Sequence, residues 1–214
     1  MELIEAITTA GTCRYFRPDP VPLGVLATAI DAARFAPQGG NRQPVRFVVV
    51  TDAEKRRTLA RWYLESWAPY AERLRQGSAT VNAGPRMVDD ADHFARHLAD
   101  VPALLVVCAV LGDTLPMDAH LDRLSVVGGC SIYPAVQNVL LRCRDLGLGA
   151  ALTTILVHHE VKVKELLGIP PEVSTVAHVA IGWPARRFPS RLTRRPLAEM
   201  AFLDCFGAPL APLA

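Results

Sequence analysis

The stretch that decides the fold is AARFAPQGGNRQPVRFVVV, residues 32–50. Pro37 ends the helical pattern of its first residues, because proline disfavours the α conformation in the preceding residue and lacks an N–H for the next helical hydrogen bond. Gly39 and Gly40 allow left-handed backbone angles or the close approach of a flat ligand. Pro44 favours an extended backbone, and the β-branched run of residues 46–50 is typical of a buried strand. The stretch therefore predicts a helix end, a glycine loop and a strand.

The loop within this stretch also carries two amide side chains, Asn41 and Gln43. An amide group donates and accepts hydrogen bonds at the same time. A buried strand that opens from such a loop is a common way to present backbone and amide groups to a planar polar ligand. A plain connection between a helix and a strand explains the same residues, so both interpretations stay open at this point.

The composition describes one domain with a sizeable core. The chain has 214 residues, of which 50% are hydrophobic and 21% charged, and this excludes a disordered protein. A net charge of +2 gives no indication of a nucleic-acid or membrane partner. The longest apolar run, residues 101–111, is too short to span a bilayer, and the N-terminus lacks the pattern of a signal peptide. We therefore expect a single domain over residues 1–214, located in the cytoplasm.

The cysteines and histidines give no metal or disulfide pattern. The five cysteines are scattered and form no C-x-x-C motif, which fits a reducing compartment. They are Cys13, Cys108, Cys130, Cys143 and Cys205. His93 and His97 have the spacing of two metal ligands on one helix face, but no third ligand stands near them, so we expect no metal site.

Apolar periodicity predicts interleaved helices and strands. The expected helices cover residues 2–9, 23–35, 53–67, 88–99, 132–146 and 158–167. The expected strands cover residues 46–50, 102–111, 151–155 and 174–183. Because no regular strand–helix–strand repeat runs through the chain, we expect an α+β fold with a mixed sheet. Prolines, glycines and charges between residues 68 and 86 predict an excursion from the domain.

Two further motifs bear on function. Gly147 and Gly149 follow a helix and precede a strand, which is the reverse of a dinucleotide-binding fingerprint, so we interpret them as a helix end. Five arginines stand close together near the C-terminus without an intervening acid: Arg186, Arg187, Arg191, Arg194 and Arg195. Such a run is usually solvated, but at the mouth of a site it would bind phosphate or carboxylate groups strongly.

Several stretches, taken in order, resemble the nitroreductase family of flavoenzymes. They are CRYFRPDPVP from residue 13, the stretch 32–50, YPAVQNVLLRCRDLGLGAALTT from residue 133, LLGIPPEV from residue 166, and VAIGWP followed by RRPL. The resemblance implies an α+β sandwich with a mixed central sheet flanked by helices, and an intertwined homodimer that binds FMN at the subunit interface. It also implies that NADH or NADPH reduces the flavin, which then reduces a nitroaromatic, a quinone or another electron-poor molecule by a ping-pong mechanism.

The resemblance also assigns candidate cofactor-binding residues. Arg14 matches the basic residue at the N1/O2 edge of the flavin, where reduction builds negative charge. Arg194 and Arg195 match a basic pair that holds the FMN phosphate. The other matched residues come from three segments: Thr12 and Cys13; Pro37, Gln38, Gly39, Gly40, Asn41 and Gln43; and Leu152, Thr153 and Thr154.

One departure from the family pattern concerns the phosphate. Many members carry two cations where this chain has Ala10 and Gly11. The arginines of residues 186–195 are candidates to replace them, together with the backbone amide of Gly11. The departure leaves open weak FMN binding, a different flavin-like cofactor such as a deazaflavin, and a non-catalytic protein that stores or sequesters flavin. A further alternative keeps the fold and changes the reaction, for example to metabolite oxidation or flavin breakdown.

Two further regions carry expectations: residues 65–100, where the resemblance is weakest, and the C-terminal residues 196–214. Residues 65–100 correspond to a variable insert that shapes the acceptor pocket in this family, and the aromatic side chains around them are candidates for a wall over the flavin. These are Trp62, Tyr63, Trp67 and Tyr70, and an amphipathic helix that packs in a dimer explains them as well. Residues 196–214 form a tail that we expect to pack on the partner subunit.

Overall fold

The computed structural model describes residues 1–76 and 85–210 of the chain. The helices in these ranges are α1 (Leu3–Thr9), α2 (Leu23–Asp31), α3 (Ala53–Arg75), α4 (Pro85–Arg96), α5 (Tyr133–Asp145) and α6 (Glu160–Leu167). The strands are β1 (Val45–Val50), β2 (Ala103–Val110), β3 (Gly149–Thr153) and β4 (Val173–Gly182). Short 3₁₀ turns, among them Ala32–Phe35 and Ile155–His159, join them. Each expected helix and strand is present, with boundaries shifted by a few residues in most cases.

The four strands form one sheet in the order β1-β2-β4-β3, which places β1 and β3 at opposite edges. All three strand pairs are antiparallel, so the expectation of a mixed sheet was wrong for these strands. A parallel pairing is present as an isolated bridge between Thr12 and Ala150. The α+β class is confirmed.

Helices cover both faces of the sheet and create two cores. On one face, α2 and α5 pack against alternate residues of β2 and β4, such as Leu105 and Val179. On the other face, α3, α4 and α6 pack against the intervening residues, such as Val106 and Ala180. Because successive side chains of a strand point to opposite faces, β2 reads as a continuous apolar run with both faces covered.

The glycine loop is built from left-handed backbone. Helix α2 passes into a 3₁₀ turn that ends at Phe35, in front of Pro37 as expected. The φ angles are +60° at Gly40, +53° at Asn41 and +52° at Gln43. Asn tolerates this conformation better than most residues, whereas Gln rarely adopts it, so the loop stores some backbone strain at Gln43. The strand begins at Val45 rather than Arg46.

Helix α3 is longer than its sequence pattern indicated. It continues through Pro69 to Arg75, although proline usually breaks a helix. Trp67 and Ala71 on either side of Pro69 are buried in the second core, and this packing outweighs the local penalty. Residues 68–75 of the expected excursion are therefore helical, as are residues 85 and 86, while residues 77–84 lie outside the described ranges.

Several apolar side chains lie on the surface of the single chain. Helix α1 turns Ala6 inward and exposes Leu3 (68%) and Ile4 (68%). Leu23 (69%) and Phe35 (74%) are exposed beside the start and end of the segment that contains α2. Within the residues that the structure describes, no helix has the length and hydropathy needed to cross a membrane.

Candidate functional site

The N-terminal segment after α1 is fastened to the sheet edge at β3. Cys13 N donates to Ala150 O (2.9 Å), and Arg17 N donates to Trp183 O (2.8 Å). The segment approaches so closely that a Cβ at Gly149 would lie 2.5 Å from Cys13 Sγ. Gly149 is therefore required by this contact, in addition to any role at the end of α5. The packing fixes the backbone on both sides of Arg14.

A crevice of about 460 Å³ lies between this segment, α4 and the chain after β4. We call it the arginine crevice, because four guanidinium-bearing residues line it: Arg14, Arg186, Arg187 and Arg194. Ala10, Gly11, Thr12 and Cys13 line it as well. Asp90 is the one carboxylate among the lining residues that the structure describes. The crevice therefore has the donor set of an anion-binding site.

Asp90 is already bonded within the protein. The Tyr15 hydroxyl donates to its carboxylate at 2.5 Å, and an Arg186 nitrogen lies 3.5 Å from it. The Arg186 guanidinium covers the Tyr15 ring at 3.2 Å, and the other face of that ring stacks on His93 at 4.2 Å. The bond to Asp90 raises the pKa of Tyr15, and burial lowers the pKa of His93. This column holds α4 against the crevice.

Arg144 is a further cation near the crevice that the sequence reasoning missed. It lines a small adjoining cavity of about 220 Å³ together with Ala10 and Gly11. Its side chain is 14% exposed, stacks over the Phe188 ring at 4.1 Å and donates through Nε to Thr9 Oγ1 at 2.9 Å. No local motif marked it, because Arg144 is more than 130 residues from Gly11 in sequence. The other arginine of its helix, Arg142, pairs with Asp145 instead.

A second cavity of about 420 Å³, the aromatic pocket, adjoins the arginine crevice and shares Thr12 and Arg14 with it. Leu152, Thr153 and Thr154 line the pocket on the sheet side. Aromatic rings from α3 and α4 form its other walls: Tyr63, Trp67, Tyr70 and Phe94. Trp62, also a candidate for an aromatic wall, stacks instead near His159, with 6.1 Å between the ring centroids.

Thr153 connects the sheet to the aromatic wall. Its hydroxyl lies 3.3 Å from the Tyr63 hydroxyl and accepts a weak bond from Ile155 N at 3.4 Å. Burial raises the pKa of Tyr63. Tyr63 is therefore a neutral hydrogen-bonding group at the floor of the pocket, close to Arg14.

The structure thus brings one group of sequence-predicted residues together and separates others from it. Thr12, Cys13, Arg14 and Arg194 line the arginine crevice, and residues 152–154 line the adjoining pocket. Arg195 lies instead on an exposed segment, with its guanidinium 3.9 Å from Glu199.

The glycine loop lies at the other edge of the sheet. Gln38 and Gln43 line an apolar groove of about 480 Å³ between α2 and β1, which we call the β1 groove. Gly39 N donates to Ser131 Oγ at 3.1 Å. The Gln38 side-chain oxygen is buried, and it has no hydrogen-bond partner within the described part of the chain. Within one chain, the loop and the arginine crevice do not form a single site.

The Nitroreductase family model matches residues 7–183, which is most of the chain. Among curated proteins, the chain is 29% identical to 5,6-dimethylbenzimidazole synthase of Rhodospirillum rubrum over 179 residues, covering 82% of this chain and 79% of that protein. It is 27% identical to NADH dehydrogenase of Thermus thermophilus over 224 residues, covering 87% and 88%.

Solved structures share the fold. An iodotyrosine deiodinase bound to FMN and 3-iodo-L-tyrosine superposes with a TM-score of 0.70 at 22% identity, covering 94% of this chain and all of that chain. An NADPH:FMN oxidoreductase of Vibrio harveyi complexed with NAD⁺ gives a TM-score of 0.66 at 22% identity, covering 95% and 77%. The chain belongs to the nitroreductase family of flavin-dependent oxidoreductases.

Proposed function

We propose that this enzyme binds FMN, accepts electrons from NADH or NADPH and passes them to an electron-poor small molecule such as a nitroaromatic or a quinone. The observation that carries the proposal is the arginine crevice, which opens through Arg14 into the aromatic pocket. FMN combines a doubly charged phosphate with a planar aromatic ring. The residues present fit both parts, since the crevice offers several guanidinium groups and the pocket offers ring surfaces.

The phosphate end of the proposed site contains Ala10 and Gly11, at positions where many family members carry cations. The cations missing from these positions are supplied from elsewhere in the chain, by Arg186, Arg187 and Arg194 in the crevice and by Arg144 beside Gly11. Arginine is suited to this role because its planar donor set binds phosphate through two hydrogen bonds.

The ring end of the proposed site has one cation, Arg14, and the backbone before and after this residue is fixed by packing on the sheet. FMN, when bound, supplies the reversible two-electron chemistry. Arg14 would stabilise the negative charge that develops on the ring upon reduction, and β3 with Thr153 would orient the ring. Because donor and acceptor would share the aromatic pocket, we expect them to bind in turn, as in a ping-pong mechanism. The donor is an intracellular metabolite, so we expect the enzyme in the cytoplasm.

We further propose that the complete site requires two copies of the chain. The glycine loop carries candidate ligands at the β1 edge, far from Arg14 at the β3 edge. The exposed apolar side chains of α1, Leu23 and Phe35 provide surface that a second copy would cover. We expect the C-terminal tail, described up to residue 210, to contribute to the same dimer.

The visible absorbance spectrum of the purified protein tests the proposed cofactor, together with heat release and identification of the chromophore. We expect a yellow protein that releases FMN, and we expect anaerobic NADH or NADPH to bleach the bound flavin. Restoration of the colour by a quinone would complete the proposed cycle. A deazaflavin chromophore would contradict the cofactor. FMN that no nicotinamide nucleotide reduces would favour a storage protein, and a protein that binds no added FMN would overturn the proposal.

A further inference from the structure

We infer that the electron acceptor of this enzyme is an aromatic anion, with its ring in the aromatic pocket and its carboxylate or phenolate on Arg73. The inference rests on the proposed function and names the substrate class for the same site. Its basis is the shape, rigidity and charge of the part of the pocket that lies along α3.

The aromatic pocket is elongated along α3. At one end, Tyr63 contacts Thr153 and lies close to Arg14. At the other end, Arg73 stands ten residues further along the same helix and also lines the pocket. Ten helical residues rise about 15 Å. The Arg14 end is continuous with the arginine crevice and is assigned to the cofactor, which leaves the Arg73 end for a second molecule.

The walls of this end are held in fixed orientations. Trp67 Nε1 donates to Asp92 Oδ1 at 3.0 Å, and the Trp67 and Tyr70 rings meet edge to face at 5.7 Å. Phe94 packs edge to face on Tyr63 at 5.9 Å. Rings that are already ordered lose little entropy when a flat molecule packs against them, so the pocket is suited to an aromatic ligand.

The charge of the aromatic pocket as a whole is positive. Two arginines, Arg14 and Arg73, line the pocket, and no Asp or Glu is among the described residues that line it. The nearby carboxylate of Asp92 is bonded to Trp67 and Arg96, and these contacts together lower its pKa. The Arg73 guanidinium lies 5.8 Å from the centre of the Tyr70 ring and has no ion pair within the described ranges.

An anionic ring satisfies both features of this pocket at once. Its face packs on Tyr70 and Trp67, while its charged group accepts hydrogen bonds from Arg73. A charge-assisted hydrogen bond of this kind changes binding by about tenfold or more. A cationic acceptor would be repelled, and a neutral acceptor of the same shape would gain only the ring contacts.

The test compares two acceptors of nearly identical shape, para-nitrobenzoate and its neutral amide, para-nitrobenzamide, with the FMN-loaded enzyme and NADH. We expect kcat/KM to favour the acid by about tenfold, and Arg73→Gln to lower this preference by about the same factor. Arg73→Lys is expected to keep part of the preference. Arg61→Gln removes the same charge from an exposed position of α3 outside the pocket and is expected to keep all of it.

A binding measurement avoids any dependence on turnover. Benzoate, which accepts no electrons, is expected to perturb the spectrum of the bound flavin, and Arg73→Gln is expected to weaken this binding while Arg61→Gln does not. Equal kcat/KM for the acid and the amide, or a preference that Arg73→Gln leaves intact, would overturn the inference alone. An enzyme that NADH and NADPH both fail to reduce would overturn the proposed function and the inference together.

Discussion

The two edges of the sheet carry two different kinds of cavity. At the β3 edge, the arginine crevice and the aromatic pocket are charged and aromatic, and they are built from the N-terminal segment, α3, α4 and the chain after β4. At the β1 edge, the β1 groove is lined mainly by aliphatic residues of α2 and β1, with the glycine loop at its side. Three interstrand spacings, about 14 Å, separate the two edges.

This difference is the basis of the proposal that the complete site requires two copies of the chain. The resemblance places Arg14 and Gln38 against the same cofactor, whereas the fold puts them at opposite edges and over opposite cores. In the proposed dimer, the glycine loop of a second copy would meet the arginine crevice of the first. The buried Gln38 oxygen has no hydrogen-bond partner among the residues that the structure describes, so a ligand or a second copy could supply the donor.

The largest expected effect concerns the core beneath the aromatic pocket. His178 lies opposite Val106 and Thr153 in the sheet and is fully buried, with neither ring nitrogen bonded within the described residues. Burial lowers its pKa to about 4. The unfolded chain, with a histidine pKa of about 6.5, therefore binds a proton that the folded chain does not, and stability falls by about 3 kcal/mol as the pH drops from about 6.5 to about 4.

Denaturant unfolding of wild type and His178→Leu across this pH range measures the effect. Above about pH 7, His178 is neutral in both the folded and the unfolded wild type, so it adds no pH dependence to the stability there. The leucine variant should lose most of the decline at lower pH. If the stability of the variant declines as much as that of wild type, titratable groups other than His178 cause the loss of stability at low pH.

The next largest effect separates cofactor binding from folding. Arg14→Ala is expected to weaken FMN binding by about 10- to 100-fold, because one charge-assisted interaction is lost, while the unfolding midpoint changes little. Arg17→Ala is the matched control, since Arg17 is exposed and lies 3.5 Å from Asp19. Fluorescence titration of the apoprotein with FMN gives both affinities. Equal affinity for the Arg14 variant and the control would remove Arg14 from the site.

Much of the fold was readable from the sequence because local periodicity and the prolines and glycines mark each helix and strand. The relative direction of paired strands could not be predicted, since parallel and antiparallel neighbours give the same apolar run when both faces are buried. The passage of α3 through Pro69 was also hidden, because it depends on the burial of Trp67 in the tertiary structure.

The candidate site was readable only in part. Thr12, Arg14 and Leu152 were found through stretches of sequence, and the fold brings them to adjoining cavities. Arg144 was missed because a helix places it beside Gly11 without any local motif. Arg194 and Arg195 are neighbours in sequence, yet Arg194 lines the arginine crevice and Arg195 lies near Glu199.

The most direct test of the split site is FMN binding by a purified mixed dimer. One protomer carries Arg14→Ala, and the other carries Gln38→Ala with Asn41→Gly, where glycine retains the positive φ. If each site combines the crevice of one copy with the loop of the other, this dimer keeps one site of wild-type affinity. A dimer with all three substitutions in one protomer then keeps none. The opposite result, no tight site in the first dimer and one in the second, would show that each chain builds its own site and would contradict the account.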